Sequence, residues 1–498
     1  MLRITDHSEA VLSSGLDRAL QQHIARQLNI SDEIFGGLVA MADSVIVIGV
    51  AAATYVAYLE YIVADRSASP PNYAAVTVLA AVILLQRLVS RRAYVVSELR
   101  NTQQQIKRAI GAWSLTIVLL VVAGFLLKFS DSVSRVWLVS WYAGTALGLA
   151  ASRCAIGGIL TRWGQNGQFF RSAVVVGAGT LGRRFVESSI EAPSLGLRVI
   201  GLFDDRTSRV PAHIRGVPLL GTIADLPEFA RRCRIDQVII ALPLSADRRI
   251  HSILARLRAL DVDVSVLGDA IGFTIPNSSV SYPAGIPAFD LMRRPISGWP
   301  SVAKRALDVG VSLLALLILS PLLAAIAVAI KLDSPGSVLF RQKRLGFNGK
   351  TFDIYKFRSM RSDASDADAA VLVTRGDSRV TRLGKILRRT SLDELPQLWN
   401  VLKGDMSLVG PRPHALKAKA ADRLYDEVVA EYAERHRVKP GITGWAQVRG
   451  WRGETDTIEK IRNRVEHDLY YIENWSLAFD LRILVMTVFC GFFSRNAY

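Results

Sequence analysis

Residues 173–182 read AVVVGAGTLG, and this stretch decides the fold of the middle of the chain. Four apolar residues suited to a buried strand run directly into G-x-G-x-x-G, which Gly177, Gly179 and Gly182 form. Between a strand and a helix, such glycines let a backbone approach a diphosphate closely. They also permit tight packing of the helix on the strand, which needs no ligand. The stretch therefore predicts a Rossmann-like α/β domain and leaves a nucleotide at this loop open.

Apolar runs that alternate with helical stretches predict more strands after this loop. These strands are expected at residues 198–203, 237–242 and 262–266. Asp204 and Asp205 end the second strand, near the place where an acid in this fold often binds a ribose. We expect the α/β domain to span residues 170–284. Residues 285–301 contain several Pro and Gly and are predicted to form a linker.

The part of the chain before the α/β domain is apolar enough for a membrane. Half of the 498 residues are hydrophobic and the mean hydropathy is +0.25. Four apolar segments are long enough to cross a bilayer, at residues 34–63, 73–88, 110–129 and 136–156. They predict a bundle of four transmembrane helices at residues 34–160, after an N-terminal segment at residues 1–33. Asp43 lies in the first segment, where a packing or helix-end role is expected.

Basic residues in the connections predict the orientation of this bundle. The link between the second and third segments carries Arg87, Arg91, Arg92, Arg100, Lys107 and Arg108. The positive-inside rule then places both ends of the bundle, and the segment at residues 1–33, in the cytoplasm. The net charge of +17 suits anionic lipid headgroups. Nucleic acid is not expected as a partner, because the chain has no zinc-finger spacing, RNP motif or long basic tail.

A fifth apolar run covers residues 309–330 and is interrupted by Ser320 and Pro321. A straight helix would cross the membrane and place everything after it outside. However, the sequence that follows is rich in Arg and Lys, and proline breaks a helix. We therefore predict a re-entrant helix at residues 305–331, which enters and leaves the membrane by the same face.

Asp393 and Glu394 stand side by side in a basic stretch, with Arg388 before them and Arg412 after them. Adjacent carboxylates ringed by arginine suit a nucleophile beside a metal ligand, with guanidinium groups that hold phosphate oxygens. The segment that starts at Ser391 also fits S-x-x-E, the capping box of a helix start. The two interpretations are compatible, because the amides of a helix start stabilise both an ionised aspartate and a phosphate.

Several motifs around this pair occur together in one order. They are YKFRSM at 355–360, SLDELP at 391–396, KGDMSLVGPRP at 403–413, KPGITGWAQ at 439–447 and DLYY at 468–471. Residues 302–498 thereby closely resemble the bacterial sugar transferases, the polyprenyl-phosphate hexose-1-phosphate transferases. The whole chain resembles the large form of that family, in which four transmembrane helices and a Rossmann-like module precede a mostly α, membrane-associated catalytic domain.

The resemblance implies a reaction and roles for individual residues. In that family a carboxylate attacks a UDP-sugar, UMP leaves, and undecaprenyl phosphate takes the phosphosugar from the enzyme. Asp393 matches the nucleophile and Glu394 the Mg²⁺ ligand, while Lys356, Arg388 and Arg412 match groups that neutralise phosphate. Asp468 matches a position that assists the metal or the nucleotide. This chemistry initiates exopolysaccharide synthesis at the cytoplasmic face of the inner membrane, and a homo-oligomer and polysaccharide-synthesis proteins are further partners to consider.

The sugar is less narrowly indicated. Residues 450–457, GWRGETDT, resemble the glucose 1-phosphate branch, but Arg449 stands where that branch has asparagine. Galactose 1-phosphate therefore remains an alternative. Two other classes are alternatives: a membrane-anchored nucleotide-sugar dehydratase that uses NAD, and a non-enzymatic regulator. The first needs a tyrosine with lysine four residues later, which the chain lacks, and the intact acidic pair argues against the second.

Overall fold

The computed structural model describes residues 31–58, 70–128, 133–165, 171–191, 197–233, 235–268, 279–361, 379–414, 419–420, 423–425, 429, 431–451 and 457–493. The predicted N-terminal segment at residues 1–33 lies almost wholly outside them, as does the middle of the glucose-type motif, residues 452–456. The chain forms two compact units. The first is built on the helices before Ser172, and the second holds most of the α/β domain and everything from Ile286 onwards.

The first unit is a bundle of long apolar helices. Its helices are α1 (Asp32–Tyr58), α2 (Pro70–Ser90), the short α3 (Val96–Leu99), α4 (Thr102–Leu126) and α5 (Arg135–Gln165). The four long helices are each long and apolar enough to cross a membrane. This confirms the four predicted segments. Helix α4 begins before its apolar run and α5 ends after its apolar run, because polar residues next to each run continue the helix.

Tryptophans fill the centre of this bundle. Trp113, Trp137 and Trp141 are fully buried and pack ring against ring, with centroids 5.1 and 4.8 Å apart. The indole N–H of Trp137 donates to the carbonyl of Ala51 at 3.2 Å, and that of Trp141 donates to the carbonyl of Val47 at 3.0 Å. These bonds satisfy the only polar atom of each ring, so the aromatic groups stabilise the apolar interior without leaving an unpaired donor.

Asp43 makes an ion pair inside the same bundle. Its carboxylate accepts from Arg153 of α5 through both oxygens, at 2.9 and 2.6 Å, and from the Tyr94 hydroxyl at 2.9 Å. The side chains of Asp43 and Arg153 are buried. The expected packing role for Asp43 therefore takes the form of a two-pronged salt bridge between α1 and α5. A charge in a membrane is tolerated when it is paired in this way.

The α/β domain is a mixed eight-stranded sheet. Its strands are β1 (Arg171–Val176), β2 (Leu197–Phe203), β3 (His213–Ile214), β4 (Val217–Gly221), β5 (Gln237–Ile240), β6 (Asp263–Leu267), β7 (Ser279–Ser281) and β8 (Ala288–Met292), in the order β3-β4-β2-β1-β5-β6-β8-β7. Pairing is parallel from β1 through β5 to β6 and from β2 to β4, and antiparallel at β8 and β7. Its helices are α6 (Thr180–Glu191), α7 (Leu226–Arg232) and α8 (Asp247–Leu257). The Rossmann-like fold and the four predicted strands are confirmed.

The predicted linker at residues 285–301 is wrong in part. It contains β8, which belongs to the sheet, and the first turn of the next helix. Pro and Gly at both ends of the segment concealed a five-residue strand, AFDLM, whose pairing with β6 and β7 decides its conformation. A polar network reinforces that pairing, because Asp290 accepts hydrogen bonds from Ser265 at 2.8 Å and Ser281 at 2.7 Å.

The C-terminal region is mostly helical with small two-stranded sheets. Its helices are α9 (Gly298–Asp333), α10 (Arg382–Thr390), α11 (Gln397–Lys403), α12 (Trp445–Val448), α13 (Ile458–Glu473) and α14 (Leu477–Phe493). Its strands are β9 (Leu339–Leu345), β10 (Thr351–Phe357), β11 (Ser407–Val409), β12 (Lys419–Ala420), β13 (Arg423–Leu424) and β14 (Gly441–Thr443). Strands β9 and β10 form a hairpin, and β11 pairs with β14 in parallel.

Helix α9 is 36 residues long and continues through Pro321. The predicted break at Ser320 and Pro321 therefore does not end the helix. Proline removes one backbone donor, and the Ser320 hydroxyl donates to the carbonyl of Leu317 at 2.8 Å. Helical geometry persists because the flanking residues are strong helix formers, such as Leu and Ala.

Both ends of α9 are tied to the C-terminal region. Near its start, Lys304 donates to the carbonyl of Val409 at 3.1 Å and to Asp480 at 2.6 Å. Near its end, the carbonyl of Ile330 accepts from Arg358 at 3.3 Å. The apolar side chains between these points, among them Leu313, Leu314, Leu317 and Ile318, are exposed. The middle of the helix thus offers a bare apolar surface, while both ends are held by polar contacts.

The Asp43–Arg153 pair gives a stability prediction. Arg153→Met should lower the free energy of unfolding in detergent by about 3–5 kcal/mol, because it leaves a buried carboxylate unpaired. The double variant Asp43→Leu/Arg153→Met removes both charges and should recover most of that loss. Denaturation curves of the three proteins provide the measurement. Equal destabilisation by the single and double variants would contradict the prediction.

Candidate active site

Asp393 lies in a single 3₁₀ turn, Leu392–Glu394, between α10 and α11. Ser391 precedes it with a left-handed φ of 58° and ends α10, and its side chain makes no cap hydrogen bond at the turn. The predicted capping box is therefore absent. The turn is followed by a seven-residue helix, whose dipole is small. Neighbouring cations, rather than a long helix, therefore determine the charge state of the acidic pair.

Glu394 is held by two cations from different parts of the chain. Lys356 of β10 donates to its Oε1 at 2.9 Å. Arg412, which follows β11, donates to both carboxylate oxygens, to Oε2 at 3.2 Å and more closely to Oε1. Burial raises the pKa of Glu394, but Arg412 and Lys356 outweigh it and hold the pKa well below its usual range. Glu394 is therefore ionised and fixed in position.

Asp393 has a contrasting environment. It is 8% exposed, and none of the described residues donates a hydrogen bond to its carboxylate. Burial raises the pKa of Asp393 and the adjacent Glu394 raises it further, while Lys356, Arg388 and Arg412 oppose both effects. A carboxylate that is shielded from water, with free oxygens and cations nearby, is a suitable nucleophile toward an anionic substrate.

The structure brings together five of the residues predicted from the sequence: Asp393, Glu394, Lys356, Arg388 and Arg412. Arg388 lies in the last turn of α10 and donates through Nε to the Ser359 hydroxyl at 2.8 Å. Asn400 of α11 fixes the distance between the acidic turn and the hairpin. It donates to the Asp353 carbonyl at 2.7 Å and accepts from the Tyr355 amide at 3.0 Å, on the strand that carries Lys356.

Asp468 is placed differently from the other predicted residues. It lies on α13, is buried, and accepts from Arg435 at 2.7 Å. No three His, Cys, Asp or Glu side chains in the described part of the chain are grouped so as to hold a metal ion by themselves. Asp468 therefore neutralises an arginine in this arrangement.

Sequence reasoning missed a cluster of groups behind Arg412. Arg435 lies in the 3₁₀ turn Tyr432–Arg437 and donates to the Arg412 carbonyl at 2.8 Å. The ring of His414 lies between Arg435, at 2.6 Å from Nδ1, and Arg464, at 3.3 Å from Nε2. Burial, Arg435 and Arg464 keep the pKa of His414 well below its usual range. The only signal in the sequence was the basic run at residues 435–437.

Arg344 extends the positive charge of this cluster. Its strand continues into a contact in which the Leu345 amide donates to the His414 carbonyl at 3.5 Å. The Nε of Arg344 is buried and has no partner among the described residues. Burial and the charge of Arg412 lower the pKa of Arg344 to about 10. Buried guanidinium groups favour an anionic partner such as a carboxylate or a phosphate.

Three of the glycines in the α/β domain form the loop at which the sequence left a bound nucleotide open. A Cβ on Gly182 would lie 2.0 Å from the Gly177 carbonyl, and one on Gly177 would lie 2.9 Å from the Ala241 carbonyl, so these glycines permit close packing. Gly179 has more room. The amide of Ala178 donates to Asp204 at 2.9 Å. A carboxylate of the protein thus takes the amide that a diphosphate would use in such a loop.

Asp204 is itself neutralised from its other side. Arg206 donates to both of its oxygens, at 3.1 and 2.9 Å. Burial raises the pKa of Asp204, but Arg206 and the backbone amides lower it to about 2. Asp205, the second acid at this strand end, accepts from Arg249 at 2.8 Å. Close packing and these ion pairs account for the loop without a ligand.

Mg²⁺ is the cofactor that the sequence implied. The residues present fit it, because Mg²⁺ is usually held by one or two carboxylates together with substrate phosphates. Glu394 supplies such a carboxylate beside Asp393, and phosphate oxygens of a substrate would complete the set. Both Glu394 oxygens already accept from Lys356 or Arg412, so a metal ion there competes with two fixed cations.

Comparison with known proteins gives consistent matches. Residues 299–494 match the bacterial sugar transferase family, and residues 90–267 match a CoA-binding domain family. The UDP-glucose:undecaprenyl-phosphate glucose-1-phosphate transferase of Escherichia coli (strain K12) is 41% identical over 78% of this chain and 81% of that protein. The exopolysaccharide production protein PSS of Rhizobium leguminosarum bv. phaseoli is 54% identical over 38% of this chain and 94% of that protein.

A solved structure resembles part of the chain more weakly. This is the crystal structure of RSP in complex with β-NADH, with 16% sequence identity and a TM-score of 0.19. The match covers 35% of this chain and 83% of the RSP chain. A likeness of this size carries no conclusion about a ligand.

The contrasting pKa shifts of the two carboxylates predict opposite effects on stability. The folded-state pKa of Asp393 is raised, so the fold favours the protonated form, and the stability that this form contributes is lost as pH rises through that pKa. Asp393→Asn should therefore raise the Tm at pH 7–8, with a gain that shrinks toward pH 4, near the ordinary pKa of about 3.9.

Glu394→Gln is the matched control. The folded-state pKa of Glu394 is lowered, so its ionised form stabilises the fold above its ordinary pKa, and that contribution is lost as pH falls. The variant should lower the Tm at pH 7–8, again with a difference that shrinks in acid. Thermal unfolding in detergent between pH 4.5 and 8 measures both effects, and shifts of the same sign at pH 7.5 would contradict the assignment.

Proposed function

The chain belongs to the bacterial sugar transferase family, and from this premise we propose that it transfers glucose 1-phosphate from UDP-glucose to undecaprenyl phosphate. The products are undecaprenyl-diphospho-glucose and UMP, and the reaction initiates exopolysaccharide synthesis. One observation above all supports this chemistry: Asp393 is a buried carboxylate that accepts no hydrogen bond from the described residues, and it lies beside Glu394, which binds Lys356 and Arg412. The identity with the Escherichia coli enzyme over most of both chains supports the substrates.

In the proposed first step, a carboxylate oxygen of Asp393 attacks the β-phosphorus of UDP-glucose. The bond between that phosphorus and the bridging oxygen breaks, and UMP leaves with the electron pair. Glucose 1-phosphate is then held on Asp393 as an acyl phosphate. Because an anion attacks an anion, the main requirement is neutralisation of charge, which Arg412, Arg388 and Lys356 provide. Burial of Asp393 removes water that would weaken these interactions.

In the proposed second step, a phosphate oxygen of undecaprenyl phosphate attacks the same phosphorus and Asp393 leaves. A phosphoanhydride is exchanged for an acyl phosphate and then for another phosphoanhydride, so neither step is steeply uphill. Mg²⁺, when bound at Glu394, would neutralise phosphate oxygens as a Lewis acid. Galactose 1-phosphate remains the alternative within the same chemistry, because Arg449 stands where the glucose 1-phosphate branch has asparagine.

We also propose that α9 is re-entrant and that the catalytic region faces the cytoplasm. Lys304 near the start of α9 and Ile330 near its end both contact elements of one region, through Val409 and Arg358. A helix that crossed the bilayer would need to place these two contacts on opposite sides. The exposed apolar middle of α9 and the apolar helix α14 would sit in the membrane, which brings Asp393 to the interface where the lipid phosphate lies.

Asp393→Asn tests the reaction most directly. It keeps the size of the side chain but removes the charge that attack requires, so UMP release from UDP-glucose should fall by several orders of magnitude. Without lipid acceptor, the wild type should accumulate a phosphosugar on the peptide that contains Asp393, as mass spectrometry would detect. An adduct on another residue, or rapid turnover by the verified variant, would refute the assignment.

Glu394→Gln tests the metal role. If Glu394 holds Mg²⁺, the variant should need a higher Mg²⁺ concentration for half-maximal UMP release, and high Mg²⁺ should restore part of its activity. Lys356→Met is the comparison, because it removes the cation that shares Oε1 and leaves the carboxylate in place. An unchanged Mg²⁺ requirement in Glu394→Gln would exclude the ligand role.

Cysteine labelling tests the topology. In a background that lacks Cys154, Cys233 and Cys490, single cysteines are placed at Ala303, near the start of α9, and at Ser337, just beyond its end. Both should resist a membrane-impermeant thiol reagent added outside intact cells and react in inverted vesicles. A cysteine in the link between α1 and α2 is the positive control for outside labelling. Labelling at residue 337 from outside would establish a helix that crosses the membrane.

A further inference from the structure

We propose that Arg435, held by Asp468, is a positioning residue that fixes the backbone of Arg412 and so aims its guanidinium group at the substrate phosphate. The proposal rests on the proposed function, because it assigns Arg412 to phosphate binding. Arg435 itself touches neither of the reacting carboxylates in the structure. Its contacts are with groups behind Arg412, and it is 2% exposed.

Three short contacts to described residues hold the guanidinium group of Arg435. Nη2 donates to Asp468 at 2.7 Å and to the carbonyl of Arg412 at 2.8 Å, while Nη1 lies 2.6 Å from Nδ1 of His414. One planar group thus joins α13 to the segment that carries Arg412. Its rigid fork geometry makes such a junction specific, because several bonds form in one plane.

A hydrogen bond to the carbonyl of Arg412 restricts the backbone of this segment strongly. Arg412 lies between Pro411 and Pro413, so its φ/ψ values are restricted and the following residue has no N–H with which to form a bond. The carbonyl of Pro411 is already bound by the Gly441 amide at 3.0 Å. Arg435 fixes the next carbonyl along the chain. Together the two bonds fix the peptide planes on both sides of the Arg412 Cα.

Asp468 neutralises the charge of Arg435 at this buried position. Burial and the nearby charge of Arg435 lower the pKa of Arg464, and the His414 ring, whose pKa is held well below its usual range, lies 2.6 Å from Nη1 of Arg435. A buried guanidinium in that setting requires a carboxylate, and Asp468 supplies one. Burial raises the pKa of Asp468, while Arg435 and Arg464 oppose that effect. Asp468 therefore acts on the reaction through Arg435, and this differs from a role as ligand of a metal or nucleotide.

A double-mutant cycle in the full-length protein in nanodiscs distinguishes these roles. Arg435→Met should lower the single-turnover rate of UMP release by about 100-fold, because a displacement of about 1 Å at a positioned group has an effect of this size. In an Arg412→Ala background, the same change should cost little more, since the residue that it positions is already gone. Arg435→Lys keeps the charge beside Asp468 but not the fork, and should fall between the wild type and Arg435→Met.

Asp468→Asn completes the test. The rate of UMP release by this variant should fall as it does in Arg435→Met. The double variant Arg435→Met/Asp468→Asn should be no slower than the slower single variant. The Mg²⁺ concentration that Asp468→Asn needs for half-maximal activity should equal that of the wild type. Circular dichroism and Tm verify folding, and Arg435→Lys with Asp468→Glu provides milder changes if Arg435→Met does not fold. The wild type must release UMP for the cycle to be read, so a failure of the proposed function is visible separately.

Three outcomes would overturn the proposal. The first is wild-type activity in the folded Arg435→Met protein. The second is an equal loss from Arg435→Met in the presence and absence of the Arg412 side chain, which would indicate an independent role. The third is a raised Mg²⁺ requirement in Asp468→Asn that Arg435→Met does not share, which would assign Asp468 to the metal.

Discussion

The ion pairs of Glu394 are the interaction on which the catalytic region depends. One carboxylate joins the hairpin strand that carries Lys356 to the segment that carries Arg412, and it lies one residue from Asp393. Glu394 binds Lys356 and Arg412 directly, whereas Asp393 accepts no hydrogen bond from the described residues and still lies close to the same charges. Two adjacent carboxylates thus acquire different pKa shifts and different roles. The cause is the different surroundings of the two side chains, since both are carboxylic acids.

Local signals predicted most of the fold and half of the site. Four apolar segments, the AVVVG strand and the acidic pair each carry their information within a few residues, and the structure contains all of them. The features that the sequence did not reveal depend on contacts between residues that are distant in sequence. Strand β8 is defined by its pairing with β6, and the carboxylate of Asp43 finds Arg153 only 110 residues later. A sequence pattern contains neither partner.

The basic residues illustrate the same limit in the site. Arg388 and Arg412 were predicted because they flank the acidic pair closely in sequence. Arg344 and Arg435 lie on other elements, and a chain with 61 Lys and Arg residues offers no local reason to single them out. What distinguishes them is burial together with the group that each one faces: Arg435 faces a carbonyl and Asp468, and Arg344 has an Nε without a described partner. Only the folded structure supplies those two properties.

The α/β domain meets the catalytic region close to the groups that hold Arg412. The hairpin tip places Asn348, with a left-handed φ of 55°, where its Oδ1 accepts from the Asp261 amide at 2.6 Å. On the turn that carries Arg435, the neighbouring Arg437 donates to the Arg293 carbonyl, at the end of β8. The turn is therefore fixed from the sheet on one side and bonds to the Arg412 carbonyl on the other. Because both contacts lie on one six-residue turn, the end of β8 and the Arg412 carbonyl are joined through a short stretch of backbone, and this stretch connects the sheet to the segment that carries a phosphate-binding arginine.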